Sequence, residues 1–264
     1  MRHPPAAPCA RDQLSCHFRS GDAMRSRSVS DIVLSGTVHI PAPPARLTAD
    51  WDREIALQLA LEPGDVAPMP LARARARWPH YRQCVQAMSD WLRARGLPDL
   101  LASSDVALMA CRGAAYHHDA AQYGGFAFCN LFVSQDKGLD LHFPVTGQRI
   151  PLTLGTAVVF DTGQPHGVIP RGGEGFDASD FAPERDCSQL FLTWELPIEH
   201  PEVGHALRIR FDAPAPTGLR HGHGQLRLDD VPVDVHRDSG RWVHPGGEQN
   251  PSRAPGRRVM AGDP

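Results

Sequence analysis

Gly138-Leu-Asp-Leu-His-Phe143 and Ile150-Pro-Leu-Thr-Leu-Gly155-Thr-Ala-Val-Val-Phe160 are short apolar segments separated by turn residues. The same pattern extends to both sides of this stretch, and apolar runs of similar length recur there. These runs predict strands at 105–112, 126–134, 139–145, 148–154, 156–161, 166–170 and 188–196. Many short strands at this spacing indicate a β-sandwich or a small barrel rather than a parallel sheet of βαβ units.

Helices are predicted before this run of strands. Residues 51–61 carry apolar side chains at helical spacing, with Thr48 as the candidate N-cap. Residues 71–95 form the strongest helical segment, which Pro79 is expected to break. Residues 31–40 read as a strand that ends at Pro41. The chain is therefore expected to be mostly β, with a jelly-roll core buttressed by N-terminal helices.

Both ends of the chain are predicted to be disordered, because residues 1–29 and 241–264 are polar or rich in Pro, Gly and Arg. A single domain would then span residues 30–240, with its β core at about 105–196. Two weaker strands are predicted after the core, at 206–211 and 225–235.

Composition narrows the classes of function. The net charge of −3 gives no reason to expect nucleic acid or an acidic membrane surface as a partner. No apolar run approaches the ~20 residues that span a bilayer, and the N-terminus lacks the apolar centre of a secretory signal. A cytoplasmic location is expected. The six cysteines show no C-x-x-C spacing and are expected to be reduced thiols, with Cys111 and Cys129 buried.

A histidine and an aspartate precede the second predicted core strand. His117 and Asp119 are spaced i and i+2, so on an extended strand their side chains point to the same face, and His118 points away. Gly163-Gln-Pro-His166 follows a buried strand, and its proline presets a turn that would bring His166 inward. Two imidazoles and one carboxylate on one side of an ion suit non-haem Fe(II), because the other side stays open for oxygen and substrate.

A second His-x-Asp pair is not expected to bind metal. His236 and Asp238 lie near the C-terminus among Arg, Gly and Pro residues, with only His244 downstream. They are interpreted as a chance match.

Residues 106–196 resemble the double-stranded β-helix of the 2-oxoglutarate- and Fe(II)-dependent oxygenases. The resemblance covers roughly a third of the chain. The matching pieces are 107–111, 116–119, 126–133, 138–143, 150–160, 166–168 and 190–194. It implies that His117, Asp119 and His166 ligate iron, and that a substrate C–H bond is hydroxylated with molecular oxygen while 2-oxoglutarate becomes succinate. It leaves open whether the substrate is a small molecule, an amino acid or a peptide side chain.

Members of this family hold the distal carboxylate of 2-oxoglutarate with a basic residue. The commonest pattern places it six residues before the tryptophan that corresponds to Trp194, where this chain has Ser188. A second arrangement takes a lysine from the strand after His-x-Asp, but no Lys or Arg lies between Asp119 and Lys137, the only lysine.

Arg185 is the favoured anchor for 2-oxoglutarate, with Arg171 and Arg112 as competitors. Arg185-Asp186 followed by an apolar strand is similar to the pattern in free amino-acid dioxygenases of the superfamily. A surface arginine paired with a neighbouring carboxylate is the alternative interpretation. Arg171 lies five residues after His166 and would face the other way on a straight strand.

Two other functions stay open from sequence alone. One is a cupin-type metalloenzyme that uses the same barrel without 2-oxoglutarate, and the other is a non-enzymatic barrel that serves as a binding module. The segment 171–184 is either a lid or an inserted loop.

Overall fold

The computed structural model describes residues 14–182, 184–211 and 224–245, and within them the chain is mostly antiparallel strand with few helices. The strands are β1 (Leu14–Ser20), β2 (Ala23–Ser28), β3 (Val33–Thr37), β4 (Val66–Met69), β5 (Val106–Arg112), β6 (Ala114–His117), β7 (Phe126–Phe132), β8 (Leu139–Phe143), β9 (Gln148–Pro151), β10 (Thr156–Asp161), β11 (His166–Pro170), β12 (Ser188–Pro197), β13 (Leu226–Leu228), β14 (Val231–Val235) and β15 (Trp242–Val243). The α-helices are α1 (Ala45–Glu54), α2 (Leu71–Arg77), α3 (Tyr81–Arg93), α4 (Ala120–Tyr123) and α5 (Pro201–Ala206).

Two antiparallel sheets form the centre of the fold. The larger has the strand order β3-β10-β7-β12-β5-β4, and the smaller has the order β6-β11-β8-β9. Both contribute to one apolar cluster, with Phe132 and Val158 from the larger sheet and Leu141, Phe143 and Val168 from the smaller. The sheets therefore face each other as a β-sandwich. The mostly-β fold predicted from sequence is confirmed, and the seven predicted core strands correspond to β5 and β7 to β12.

The other face of the larger sheet packs against helices. Leu192 and Trp194 of β12 share a buried cluster with Trp51 of α1 and Met88 of α3. Because side chains alternate along a strand, the residues between them, such as Thr193, face the smaller sheet. This alternation decides which side chains line the space between the sheets.

A third sheet, of order β15-β14-β13-β1-β2, joins the two ends of the chain. It corrects the disorder predicted for residues 1–29, because residues 14–28 form β1 and β2. Cys16 and Phe18 of β1 are fully buried, and β1 pairs with β13 from the far end of the sequence. Because the partner strand is so far along the chain, the sequence around β1 shows no pattern that predicts the pairing. Residues 1–13 of the predicted N-terminal tail lie outside the described residues.

The C-terminal part of the chain also differs from the prediction. Trp242 and Val243, expected to be disordered, form β15, whereas residues 246–264 lie outside the described part. The strand predicted at 206–211 is absent from the described residues there: α5 ends at Ala206, and Phe211 forms only an isolated bridge with Arg27. Pro201 at the first helical position favours the helix, since its missing N–H has no intrahelical partner to lose.

The first helix begins six residues earlier than predicted. Its N-cap is Pro44, and the Thr48 hydroxyl donates to the Ala45 carbonyl within the helix instead of capping it. The helix then continues as a π-helical turn over Ile55–Leu59. The break predicted at Pro79 is confirmed, since α2 ends at Arg77. In the described ranges, no helix has both the length and the apolar character that crossing a bilayer requires.

The five described cysteines are free and buried, and we expect them to resist alkylation in the native protein. Burial raises the pKa of Cys16 to about 11 and that of Cys111 to about 12, so thiolate is scarce at pH 8. Iodoacetamide treatment followed by peptide mapping should find all five unmodified in buffer and modified in urea. Labelling of any of them as fast in buffer as in urea would contradict this packing.

Candidate metal centre

Two histidines meet because their strands pair. His117 is the last residue of β6 and His166 the first of β11, and the two residues are directly opposite in the antiparallel register. Their ring centroids are 4.4 Å apart. The neighbouring pair on the same strands shifts register, so the ladder is irregular next to the histidines. Such irregularities occur often beside functional sites, where they re-aim a side chain.

Asp119 reaches the histidines from a turn and not from a strand. It precedes the short helix α4 with φ −105° and ψ 7°, and its N–H donates to the Thr162 carbonyl at 2.8 Å. The prediction that His117 and Asp119 lie on one extended strand is therefore wrong, because β6 ends at His117. The carboxylate still arrives beside both rings: Asp119 Oδ2 lies 3.7 Å from His117 Nε2 and 3.5 Å from His166 Nε2.

The ring nitrogens are oriented by backbone carbonyls. His117 Nδ1 lies 2.7 Å from the Ala115 carbonyl oxygen, and His166 Nδ1 lies 3.0 Å from the Gln164 carbonyl oxygen. A carbonyl accepts a hydrogen bond, so each Nδ1 carries the proton and each Nε2 keeps its lone pair. Metal-ligating histidines are commonly fixed in this way.

The two rings differ in exposure. His166 is 6% exposed and packs against Phe160, with ring centroids 4.7 Å apart. Burial, reinforced by the neighbouring His117 ring, lowers the pKa of His166 to about 4, so this imidazole is neutral at pH 7. The side chains of His117 and Asp119 are 36% and 26% exposed, so the cluster opens to solvent on their side.

The donor set fits a divalent transition metal. One ligand atom from each of His117, Asp119 and His166 lies within 4.8 Å of the others, and within the described ranges no other such group of His, Cys, Asp or Glu is found. Two imidazole nitrogens and one carboxylate oxygen on one side of an ion match the facial set of non-haem Fe(II). His236, interpreted as a chance match, instead accepts from the Ser239 backbone N–H through Nδ1.

A fully buried ion pair, which no sequence pattern predicted, supports the cluster. Arg27 of β2 donates from both terminal nitrogens to the Asp161 carboxylate, at 2.6 and 2.8 Å. Neither side chain is exposed to solvent. The Arg27 Nε–H also donates to the Gly124 carbonyl. Arg27 lies in the segment predicted to be disordered, so the pair could be recognised only from the fold.

The Asp161 carboxylate organises the turn that carries His166. It accepts hydrogen bonds from the backbone N–H groups of Ser30 and Gly163, at 2.9 and 2.8 Å. This turn also supplies the Thr162 carbonyl that receives the Asp119 N–H. Two of the three candidate ligands are therefore held by one buried carboxylate and its arginine partner.

His118 is directed away from the cluster. Its Nε2 lies 3.7 Å from Oδ1 of Asp234, on β14 of the third sheet. Burial lowers the pKa of His118.

The structure does not bring Arg185 to the cluster. The side chain is exposed, and its Nη2 lies beside Gly138, where an added Cβ would meet it at 3.5 Å. Gly138 directly precedes β8, and its carbonyl accepts from the N–H of Arg171. Arg171 directly follows β11 and is five residues after His166. At a rise of ~3.3 Å per residue along the strand, Arg171 lies about 16 Å from His166. Arg185 therefore lies at the opposite end of the sandwich from the histidines.

The two competing arginines are held at that same end. Arg171 donates from both terminal nitrogens to Asp136 and from Nε to Asp140. Arg112 ends β5 and donates from Nη2 to the Phe181 carbonyl. Neither is near the candidate ligands.

The segment 171–184, predicted to be a lid or an inserted loop, is packed where it is described. Phe181 is 1% exposed and belongs to the apolar cluster between the sheets. Phe176 stacks on it, with ring centroids 5.4 Å apart, and the Phe176 N–H donates to the Asp238 carbonyl. The segment thus contributes to the core at the end remote from His166.

No protein-family model and no curated protein matches this chain. Solved structures do match. The viral collagen prolyl hydroxylase of Paramecium Bursaria Chlorella virus-1, in a 2OG complex, aligns with a TM-score of 0.38 and 10% identity, covering 62% of this chain and 94% of its own.

Two further structures extend this likeness. A Pseudomonas putida prolyl-4-hydroxylase aligns with a TM-score of 0.34 and 19% identity, over 62% of this chain and 92% of its own. The non-heme alpha ketoglutarate dependent epimerase SnoN from nogalamycin biosynthesis aligns with a TM-score of 0.32 and 14% identity, over 72% of this chain and 89% of its own.

Proposed function

We propose that this chain is an Fe(II)- and 2-oxoglutarate-dependent oxygenase that hydroxylates a small molecule, an amino acid or a peptide side chain. The observation that carries the proposal is the convergence of His117 Nε2, His166 Nε2 and Asp119 Oδ2 at the open side of the β-sandwich. We also propose that the sandwich is a double-stranded β-helix whose larger sheet is supported by the helices.

The three side chains have distinct roles in this proposal. His117 and His166 would each donate a nitrogen lone pair to Fe(II), and Asp119 would donate an oxygen and offset one positive charge. When bound, Fe(II) and 2-oxoglutarate supply the activation of molecular oxygen, with one oxygen atom entering the substrate and the other entering succinate as CO₂ leaves. An aspartate in this position leaves no ligand place for a halide, so hydroxylation is favoured over halogenation.

The protein contributes orientation and exclusion of water. The carbonyls of Ala115 and Gln164 fix the imidazole rings before metal arrives, so binding requires little reorganisation. Phe143 and Phe160 cover the His166 side of the cluster, with ring centroids 6.1 and 4.7 Å from the imidazole. The exposed side, next to His117 and Asp119, is where oxygen and substrate would enter.

Succinate formation tests the function. We expect the purified protein with Fe(II), ascorbate and oxygen to convert 2-oxoglutarate to succinate slowly even without substrate, and Asp119→Ala to lose this turnover because one of three metal ligands is gone. His236→Ala is the matched control and should retain it, because His236 is exposed and outside the cluster. Turnover that is equal in wild type and Asp119→Ala would reject the assignment.

A metalloenzyme that does not use 2-oxoglutarate is the second candidate. It is favoured by one observation, that the three arginines considered as anchors lie at the other end of the sandwich. Thermal denaturation distinguishes the candidates. Stabilisation by 2-oxoglutarate only in the presence of metal supports the oxygenase, and stabilisation by metal alone with no effect of 2-oxoglutarate supports the alternative.

A further inference from the structure

The space between the two sheets stays open along the C-terminal half of β12. Thr193 and Glu195 are half-buried, whereas Leu192, Trp194 and Leu196 are buried in the cluster that packs against the helices. Because side chains alternate along a strand, Thr193 and Glu195 point to the space between the sheets. Both residues keep contact with solvent, so a ligand can reach this face of β12.

Glu195 lies at the level of the metal ligands. It is directly opposite Phe128 of β7, and Phe128 is directly opposite Phe160 of β10. Phe160 packs against His166, with ring centroids 4.7 Å apart. Neighbouring strands are about 4.8 Å apart, so the Cα atoms of Glu195 and Phe160 are about 10 Å apart. A substrate that reacts at the metal therefore spans this row of the larger sheet.

Two buried polar atoms lie in the next row inward from Glu195. Asn130 of β7 and Thr193 of β12 are directly opposite each other. Asn130 is 6% exposed, and within the described part of the chain neither its Oδ1 nor the Thr193 Oγ1 has a hydrogen-bond partner. Such atoms are uncommon in native proteins and call for an explanation. The amide oxygen can only accept a hydrogen bond and the hydroxyl oxygen can accept one, so the missing partner of both is a donor.

The strands around this space supply acceptors and aromatic rings but no basic side chain. The sequences of β6, β7, β8, β10, β11 and β12 contain no lysine or arginine. Phe128, opposite Glu195, packs edge-on against Tyr123, with ring centroids 4.9 Å apart. A carboxylate attracts a cation by charge, and an aromatic ring attracts it through its electron-rich face. This lining is therefore complementary to a positively charged ligand group.

We propose that Glu195, together with Asn130 and Thr193, binds a primary ammonium group of the substrate, so that the enzyme acts on a basic amine. This inference rests on the proposed oxygenase function and names its substrate class. A primary ammonium has three N–H donors and no acceptor. The Glu195 carboxylate, the Asn130 Oδ1 and the Thr193 Oγ1 offer three acceptors, one of which carries the compensating charge.

Binding of two matched probes tests the proposal. The full chain is loaded with Mn(II), which replaces Fe(II) at the same ligands, and is mixed with n-butylammonium or with n-butanol, which has a hydroxyl in place of the ammonium. Paramagnetic broadening of the butyl proton resonances reports a probe bound near the ion without turnover. We expect the Kd for n-butanol to be at least ~10-fold higher, as for the loss of a hydrogen bond to a charged group.

Variants locate the contact. Glu195→Gln keeps the shape of the side chain and removes its charge, so it should raise the Kd for n-butylammonium by ~10-fold. Thr193→Val should raise it by ~5-fold, the loss of one neutral acceptor. Both should bind one equivalent of Mn(II), as the wild type does. Glu199→Gln is the matched control and should keep the wild-type Kd, because Glu199 pairs with Arg25 at the surface.

Failure of the substrate class is distinguishable from failure of the oxygenase function. A wild-type Kd for n-butylammonium in Glu195→Gln, or equal Kd values for the two probes in the wild type, would overturn the substrate class. The visible charge-transfer band of Fe(II) with 2-oxoglutarate, recorded anaerobically on the wild type, reports the oxygenase function separately. If that band forms, the function stands whatever the probes show. If it does not form, the proposed function fails and the substrate class with it.

Discussion

Asp119→Ala is expected to abolish stoichiometric Fe(II) binding. The Asp119 carboxylate supplies one of three ligand atoms and the only negative charge among them. Loss of outer hydrogen-bond partners alone weakens metal sites by about 10–100-fold, so loss of a ligand should exceed ~100-fold. Anaerobic titration with Fe(II), followed by iron analysis after desalting, measures the change. The wild type should retain one equivalent and the variant almost none.

Two controls make this result specific. His236→Ala removes a histidine of the other His-x-Asp pair and should keep one equivalent of iron. Far-ultraviolet circular dichroism should be the same for all three proteins, because Asp119 lies in a turn at the edge of the core. One equivalent of iron retained by Asp119→Ala would exclude this aspartate as a ligand.

Arg27→Met is expected to destabilise the fold by about 3–5 kcal/mol, the usual cost of leaving one partner of a buried ion pair uncompensated. Arg27 and Asp161 are both fully buried, and Arg27 donates to two backbone carbonyls besides. Urea denaturation with a linear extrapolation gives the change in the free energy of unfolding. Iron affinity should fall as well, because Asp161 fixes the turn that carries His166.

Arg25→Met is the matched control on the same strand. Arg25 pairs with Glu199 at the surface, where the two side chains are 31% and 39% exposed. Solvent screens such pairs, so the expected loss is only about 0–1 kcal/mol. Equal losses in Arg25→Met and Arg27→Met would contradict the structural role assigned to the buried pair.

The strands of the core could be predicted because each is a short apolar run bounded by turn residues. β10, Thr156–Asp161, is fully buried along its length and lies between two other strands. Such a strand reads as a continuous apolar run in the sequence. His166 could be placed after it for the same reason, since a short Gly- and Pro-containing turn follows directly.

The N-terminal strands of the third sheet could not be predicted, although β13 and β14 lie within the strand region predicted at 225–235. β1 pairs with β13, more than 200 residues later in the chain, and β2 is short and polar. β2 reads Ala-Met-Arg-Ser-Arg-Ser, and its buried member is the charged Arg27. The burial of this arginine depends on its ion pair with Asp161, which lies 134 residues later in the chain. Local sequence therefore does not predict it. The same limit applies to Asp119, whose position depends on a hydrogen bond to Thr162 and not on strand alternation.

The arginines illustrate a third limit. Spacing from Trp194 identified Ser188 as the missing anchor position, but the register of β12 determines which residues face inward. They include Phe191 and Thr193, which oppose Phe132 and Asn130 of β7. Which residues of a strand face inward depends on how that strand pairs with distant segments. The spacing of residues within one strand therefore cannot predict which side chains line the site.

An iron-edge anomalous difference map from crystals grown anaerobically with Fe(II) tests the central claim most directly. We expect one strong peak within bonding distance of His117 Nε2, His166 Nε2 and one carboxylate oxygen of Asp119. A map with no peak at that position, or with iron bound by other residues, would contradict it.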